Sequence, residues 1–153
     1  MLRGFLAIGS GELRVVCGAG RLAHRDAGVL AMVATEQLRV AGDAAAQKAR
    51  RRIARDPARH AELAWRFVRW ALVREPSAAT AVASAFARAS RRVADAARAD
   101  ERTATPADAA AWSHHGRLAS AELAATKRRA LAEIVAPCAE ALLCAAPPRL
   151  SGA

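Results

Sequence analysis

The 153-residue chain has little of what a large β-sheet core requires. It contains no tyrosine, and aromatic residues make up only 4% of it. Sheet cores are rich in aromatic and β-branched side chains, whereas this chain has 44 alanines and 22 arginines, residue types that favour helix. The composition therefore predicts an all-α protein, and the length suits a single domain with its own core.

Cysteine is also scarce. Cys17, Cys138 and Cys144 form an odd set without a C-x-x-C pair, which argues against a disulfide framework or a zinc module and favours a reducing compartment. The N-terminal apolar run GFLAIG is too short for a secretory signal. The most apolar stretch, 130–146, carries two glutamates and a proline, so no membrane span is expected. These features predict a cytoplasmic protein, with the mitochondrial surface or the nucleus as alternatives.

Lysine is nearly absent, yet the chain is strongly basic. Two lysines and 22 arginines, against 14 acidic residues, give a formal net charge of +10 and a pI near 11.4. The arginine and alanine excess is typical of a GC-rich coding background, so part of it carries no functional meaning. The charge is nevertheless suited to nucleic acid, an anionic membrane or an acidic protein partner.

The positions of turn residues and the spacing of apolar residues divide the chain into three parts. Residues 1–25 form an N-terminal arm or a short β-hairpin, for which Gly9-Ser10-Gly11 supplies the turn. A flexible arm is an equally good interpretation of that segment. Residues 26–146 have apolar positions at helical spacing and predict the bundle itself. Residues 147–153 are expected to be a disordered tail.

Candidate capping residues and prolines predict where the helices begin and end. Asp26 is a candidate N-cap, Asp56-Pro57 is a strong helix start, and Pro137 is a stop. The predicted helices span about 27–41, 44–55, 57–74, 78–100 and 106–136, the last interrupted near Gly116, followed by a short turn or helix at 138–145.

Two of these helices have distinctive faces. The 57–74 helix is apolar over more than half of its circumference, which predicts a place at the centre of a bundle of five or six helices. The following helix has a mainly small-residue seam that should face the core, formed by Val82, Phe86, Ala89, Val93 and Ala97.

A basic stripe is the first functional signal. If 44–59 is helical, five cations fall within about 100° of the circumference at 100° per residue: Lys48, Arg51, Arg52, Arg55 and Arg59. Residues 44–75 hold nine basic and three acidic residues, a net +6. A row of guanidinium groups at this spacing can follow a line of phosphates. The alternative is a solvated face without a partner.

The second signal is the stretch QLRVAGDAAAQKARR, in which Leu38 is followed by Ala41, Gly42 and Asp43. It resembles the third homology region, or death motif, of the Bcl family of apoptosis regulators. The resemblance implies helix-in-groove binding. Leu38 would fill a pocket, Gly42 would permit close approach, and Asp43 would pair with an arginine of the partner.

The resemblance extends downstream to 72–86 and 111–123, which are similar in position to the first and second homology regions. Ala78 to Ala81 stand where the family's Asn-Trp-Gly-Arg core would lie. A different interpretation explains the same residues without a partner. Gly42 ends one helix at the C′ position, and Asp43 caps the next.

The sequence contains no convincing catalytic or metal-binding arrangement. The four histidines are His24, His60, His114 and His115, and adjacent histidines on a helix point in different directions. Zinc needs three or four converging ligands, so neither a metal nor another cofactor is expected.

The sequence therefore predicts a non-enzymatic, Bcl-like interaction module that binds a helical segment of another protein or of itself. Two alternatives are a basic helical protein that binds nucleic acid or another acidic surface, and a self-associating structural subunit.

Overall fold

The chain is mainly helical in the part that the computed structural model describes, residues 27–103 and 109–145, and no strand occurs there. The elements are α1 (Ala27–Val40), α2 (Ala44–Arg74), a 3-10 turn (Pro76–Ala78), α3 (Ala79–Arg102), α4 (Ala109–His114), α5 (Ser120–Ala130), a π-helical segment (Leu131–Val135) and α6 (Ala136–Cys144). The prediction of an all-α bundle is confirmed. The predicted arm or hairpin at 1–25, Asp26 and the 147–153 tail lie outside the described residues.

The stretch 36–57 belongs to two helices, which meet at residues 41–43. Helix α1 ends at Val40, and Asp43 takes an extended conformation with φ −83° and ψ 133°. The Ala46 N–H donates to Asp43 Oδ2 at 2.6 Å, so Asp43 is the N-cap of α2. This short junction places α1 antiparallel to the first half of α2, and the two helices pack along their length.

Helix α2 continues without interruption for 31 residues and contains Pro57 in its interior. The prediction that Asp56-Pro57 starts a new helix is therefore wrong. Proline removes the N–H that would bond the Ile53 carbonyl, but most residues of this turn are exposed, so water can reach the freed group. Packing against α1 at one end and against α6 at the other keeps both halves in one helix.

The centre of the bundle is the rod formed by α5, the π segment and α6. It contacts α1, α2 and α3, and Ala124 and Ala130 on it are 0% exposed. The prediction of 57–74 as the central helix is wrong. Within 57–74 only Ala64 and Leu72 are buried, and one face of this segment remains open to solvent. Small side chains let the central rod approach three neighbours closely, which an aromatic-rich helix cannot do.

The central rod passes through Pro137, where the sequence predicted an end. The Ala136 N–H bonds the Leu131 carbonyl, five residues back, so the backbone widens to π geometry just before the proline. This wider turn gives the ring room beside the preceding carbonyls and lets the helix continue.

Two apolar clusters form the core, and Phe86 of α3 contacts both. One contains Val29, Val93, Ala130 and Val135, and the other contains Leu72, Ala78 and Val82. Trp65 of α2 stacks on Phe86 with ring centroids 5.4 Å apart. The predicted seam of α3 is confirmed, since Val82, Ala89, Val93 and Ala97 are all buried.

Candidate functional site

The basic stripe lies on the solvent side of α2. All five of its side chains are exposed: Lys48, Arg51, Arg52, Arg55 and Arg59. The opposite side of the same turns faces α1, where Arg50 donates to the Gln37 side chain at 2.8 Å. Four of the five cations also line a shallow depression in the surface, together with Ala44 and Gln47. The five cations therefore lie together on one exposed side of the helix, as the sequence predicted.

None of the five stripe cations has an ion pair within the described residues. The cations of α5 differ in this respect. Lys127 contacts Asp100 at 2.6 Å, Arg128 pairs with Glu101, and Arg129 contacts Glu36 at 3.2 Å. Acidic residues of α1 and α3 thus neutralise the central rod and leave the α2 charges available.

The Glu36 carboxylate forms ion pairs with two arginines of the bundle, Arg39 and Arg129. The hydrogen bond from Arg39 lowers the pKa of this carboxyl, desolvation opposes that effect, and Arg129 lowers the pKa further. The carboxylate links the end of α1 to α5. It is therefore occupied inside the bundle and does not offset the stripe.

Exposed apolar side chains continue the same face of α2 toward its C-terminal end, interspersed with the exposed Glu62–Arg66 ion pair and Arg69. Leu63 and Val73 are each 63% exposed, and Trp70 is 40% exposed. The Arg74 guanidinium lies 5.9 Å from the centroid of the Trp70 ring. At 100° per residue, Leu63 and Trp70 are in line with Arg52 and Arg59. We call the basic stripe and these three apolar residues together the open face.

The exposed apolar residues of the open face were not predicted. The sequence placed the apolar 57–74 segment at the centre of the bundle, and it predicted that a separate helix starts at Asp56-Pro57. The basic and the apolar residues lie on one line only if the helix is continuous. The positions of the side chains at 100° per residue continue unchanged through Pro57. Extending this spacing from the basic stripe would have placed Leu63 and Trp70 in line with Arg52 and Arg59.

The Gly42-Asp43 junction is occupied by another part of the chain. The N–H groups of Gly42 and Asp43 donate to the His114 carbonyl at 3.0 and 3.3 Å. A Cβ on Gly42 would lie 2.5 Å from His114 Nδ1, so the imidazole ring rests directly on the glycine. The close approach that glycine permits is therefore used within the molecule.

The neighbouring residues reinforce this packing. Gln47 donates to the Ala41 carbonyl at 2.8 Å, and Arg50 donates to the His115 carbonyl at 3.4 Å. Gly116 has a φ of +77°, and its Cα packs beside Ala41 and the Gln37 carbonyl. The turn after α4 thus caps the junction between α1 and α2.

These contacts bear on the predicted partner-binding set of Leu38, Ala41, Gly42 and Asp43. Leu38 is half-buried, and Ala41 is only 2% exposed. The helix ends before Ala41, so the four residues do not share one continuous helical face. The structure accounts for Gly42 and Asp43 as junction residues, as the alternative interpretation predicted.

The described residues contain no group of three or more His, Cys, Asp or Glu side chains that could hold a metal ion. His114 and His115 have ring centroids 5.6 Å apart, at an angle of 71°. In the same part of the chain, no helix combines the length and apolarity needed to cross a membrane.

No family model matches the chain, and neither the curated proteins nor the solved structures include a match to it.

Proposed function

We propose that this protein is a non-enzymatic helical module that binds a polyanion through the basic stripe of α2. The observation that carries the proposal is the set of five exposed cations on one side of one helix, without ion pairs among the described residues. Elsewhere in the bundle, acidic groups lie against the lysine and arginines of α5. The odd number of cysteines supports placing the module in the cytoplasm.

The spacing of the stripe suits a repeating anion. Consecutive members lie one to four residues apart, so they form a nearly continuous row over about three turns of helix. Such a row neutralises several phosphates at once and releases their counterions. Because α1 and the Asp43 cap hold this helix in place, little ordering of the backbone is needed on binding.

Reversing three charges of the stripe should remove most of the binding. The variant Arg51→Glu, Arg52→Glu, Arg55→Glu is expected to bind duplex DNA, used as a defined polyanion, more than tenfold less tightly in about 50 mM salt. Fluorescence anisotropy with a labelled duplex measures the affinity.

The matched control is Arg88→Glu, Arg91→Glu, Arg92→Glu on α3, where Arg88, Arg91 and Arg92 are likewise exposed and unpaired among the described residues. It changes the net charge by the same amount. Equal losses in the two variants would show that net charge, and not the stripe, governs binding.

The Bcl-like interaction module stays a prediction. The observation that weighs against it is the helix end at Val40, which separates Leu38 from Gly42 and Asp43. Self-association through the open face is disfavoured because two copies would bring like charges together.

A further inference from the structure

We infer that the polyanion bound by the open face is the surface of an anionic phospholipid membrane, against which α2 lies flat. This inference rests on the proposed function and identifies the partner of the same surface. It depends on the exposed apolar residues of the open face, Leu63, Trp70 and Val73, which binding to isolated phosphates does not explain.

The exposed apolar residues have the chemistry of a lipid-binding surface. Leu63 and Val73 are aliphatic and 63% exposed. Single-stranded nucleic acid is bound by aromatic platforms on which bases stack, and aliphatic side chains do not supply them. Acyl chains just below the headgroups accept leucine, valine and tryptophan alike, and tryptophan is favoured at that boundary.

The charges along the open face are complementary to an anionic leaflet. Phosphates of an anionic leaflet attract basic residues near the surface. Arg59 is at the centre of the open face, and Arg74 flanks Trp70 at its C-terminal end. Long arginine side chains can reach the headgroups while neighbouring apolar side chains lie deeper.

The open face is also long. It runs along α2 from Lys48 to Val73, about 38 Å at 1.5 Å rise per residue. The shallow depression on it is lined mainly by cations, so it does not supply the concave apolar groove that holds a partner helix. A long surface that carries both cations and exposed apolar side chains instead fits a flat, deformable surface.

The test uses the 153-residue chain and vesicles of 30% phosphatidylserine and 70% phosphatidylcholine. The double variant Leu63→Ala, Val73→Ala should partition onto these vesicles about tenfold more weakly than the wild type. Its affinity for duplex DNA should stay within about twofold, since the basic stripe is intact. Ile53→Ala is the matched control, because Ile53 is 52% exposed on α2 but lies about 80° or more around the helix from every member of the open face.

Quenching of tryptophan fluorescence by lipids brominated on the acyl chain locates the contact. Quenching should fall in Trp70→Phe and persist in Trp112→Phe, whose ring lies on α4 beneath Arg117. Unchanged vesicle partitioning in the double variant would overturn the inference, and so would quenching that does not depend on Trp70.

Two further outcomes separate the inference from the proposed function. A wild-type chain that binds duplex DNA but not the vesicles would overturn the membrane assignment and leave polyanion binding in place. A chain that binds neither would overturn the proposed function itself.

Discussion

Replacing Leu72 with alanine should lower the free energy of unfolding by about 3 kcal/mol. Leu72 is 2% exposed and is the largest fully buried side chain among the described residues. It packs in one cluster with Ala78 and Val82, where α2, the 3-10 turn and α3 meet. The truncation removes apolar contacts and leaves a cavity that the surrounding helices cannot fill completely. Urea denaturation followed by circular dichroism gives the change directly.

Leu63→Ala is the control for this prediction, since it makes the same truncation in the same helix. Leu63 is 63% exposed, so the loss of stability should be below about 0.5 kcal/mol. The contrast tests the orientation of α2, with Leu72 toward the core and Leu63 toward solvent. Similar losses in the two variants would mean that the helix is not oriented as described and that the open face does not exist.

Gly116→Ala should destabilise the protein by an amount on the order of 3 kcal/mol. Gly116 has a φ of +77°, a conformation that costs energy for any residue with a Cβ. The added atom would also lie 2.6 Å from the Gln37 carbonyl oxygen, which belongs to the backbone and cannot rotate away. The turn would then withdraw from the junction between α1 and α2. Thermal unfolding should show the midpoint falling by about 10 °C.

Gly28→Ala is the matched control and should have the opposite sign. Its Cβ would meet Ile134 and Val135 at 3.6 and 3.8 Å, an ordinary van der Waals contact. Alanine also favours helix over glycine, so stability should rise by up to about 1 kcal/mol. A Gly116→Ala variant as stable as the wild type would show that the turn after α4 does not pack closely against the junction between α1 and α2. Gly42 and Asp43 would then be available to a partner, as the Bcl resemblance implies.

The sequence was sufficient wherever one physical signal acted alone. The seam of α3 follows from the spacing of Val82, Ala89 and Val93, because no competing signal interrupts that helix. The stripe on α2 follows from the same periodicity applied to arginine. Asp43 as an N-cap follows from its short acceptor side chain just before a helical run.

The sequence was insufficient where long-range packing opposed a local rule. Pro57 and Pro137 both favour helix boundaries, yet each lies in a helical rod that its neighbours hold together. The exposure of Leu63 and Trp70 could not be predicted either. An apolar side chain has the same sequence signature whether another helix covers it or not. The prediction placed 57–74 at the centre of the bundle, whereas the rod of α5, the π segment and α6 lies there.

The salt dependence of binding shows whether the stripe on α2 is the polyanion-binding surface. The logarithm of the affinity for duplex DNA should fall linearly with the logarithm of salt concentration, with a slope of about −4 to −5 for five neutralised phosphates. The Arg51→Glu, Arg52→Glu, Arg55→Glu variant should have a slope about 2 to 3 smaller in magnitude. The α3 triple variant should keep the wild-type slope. Identical slopes for the wild type and the stripe variant would contradict the account.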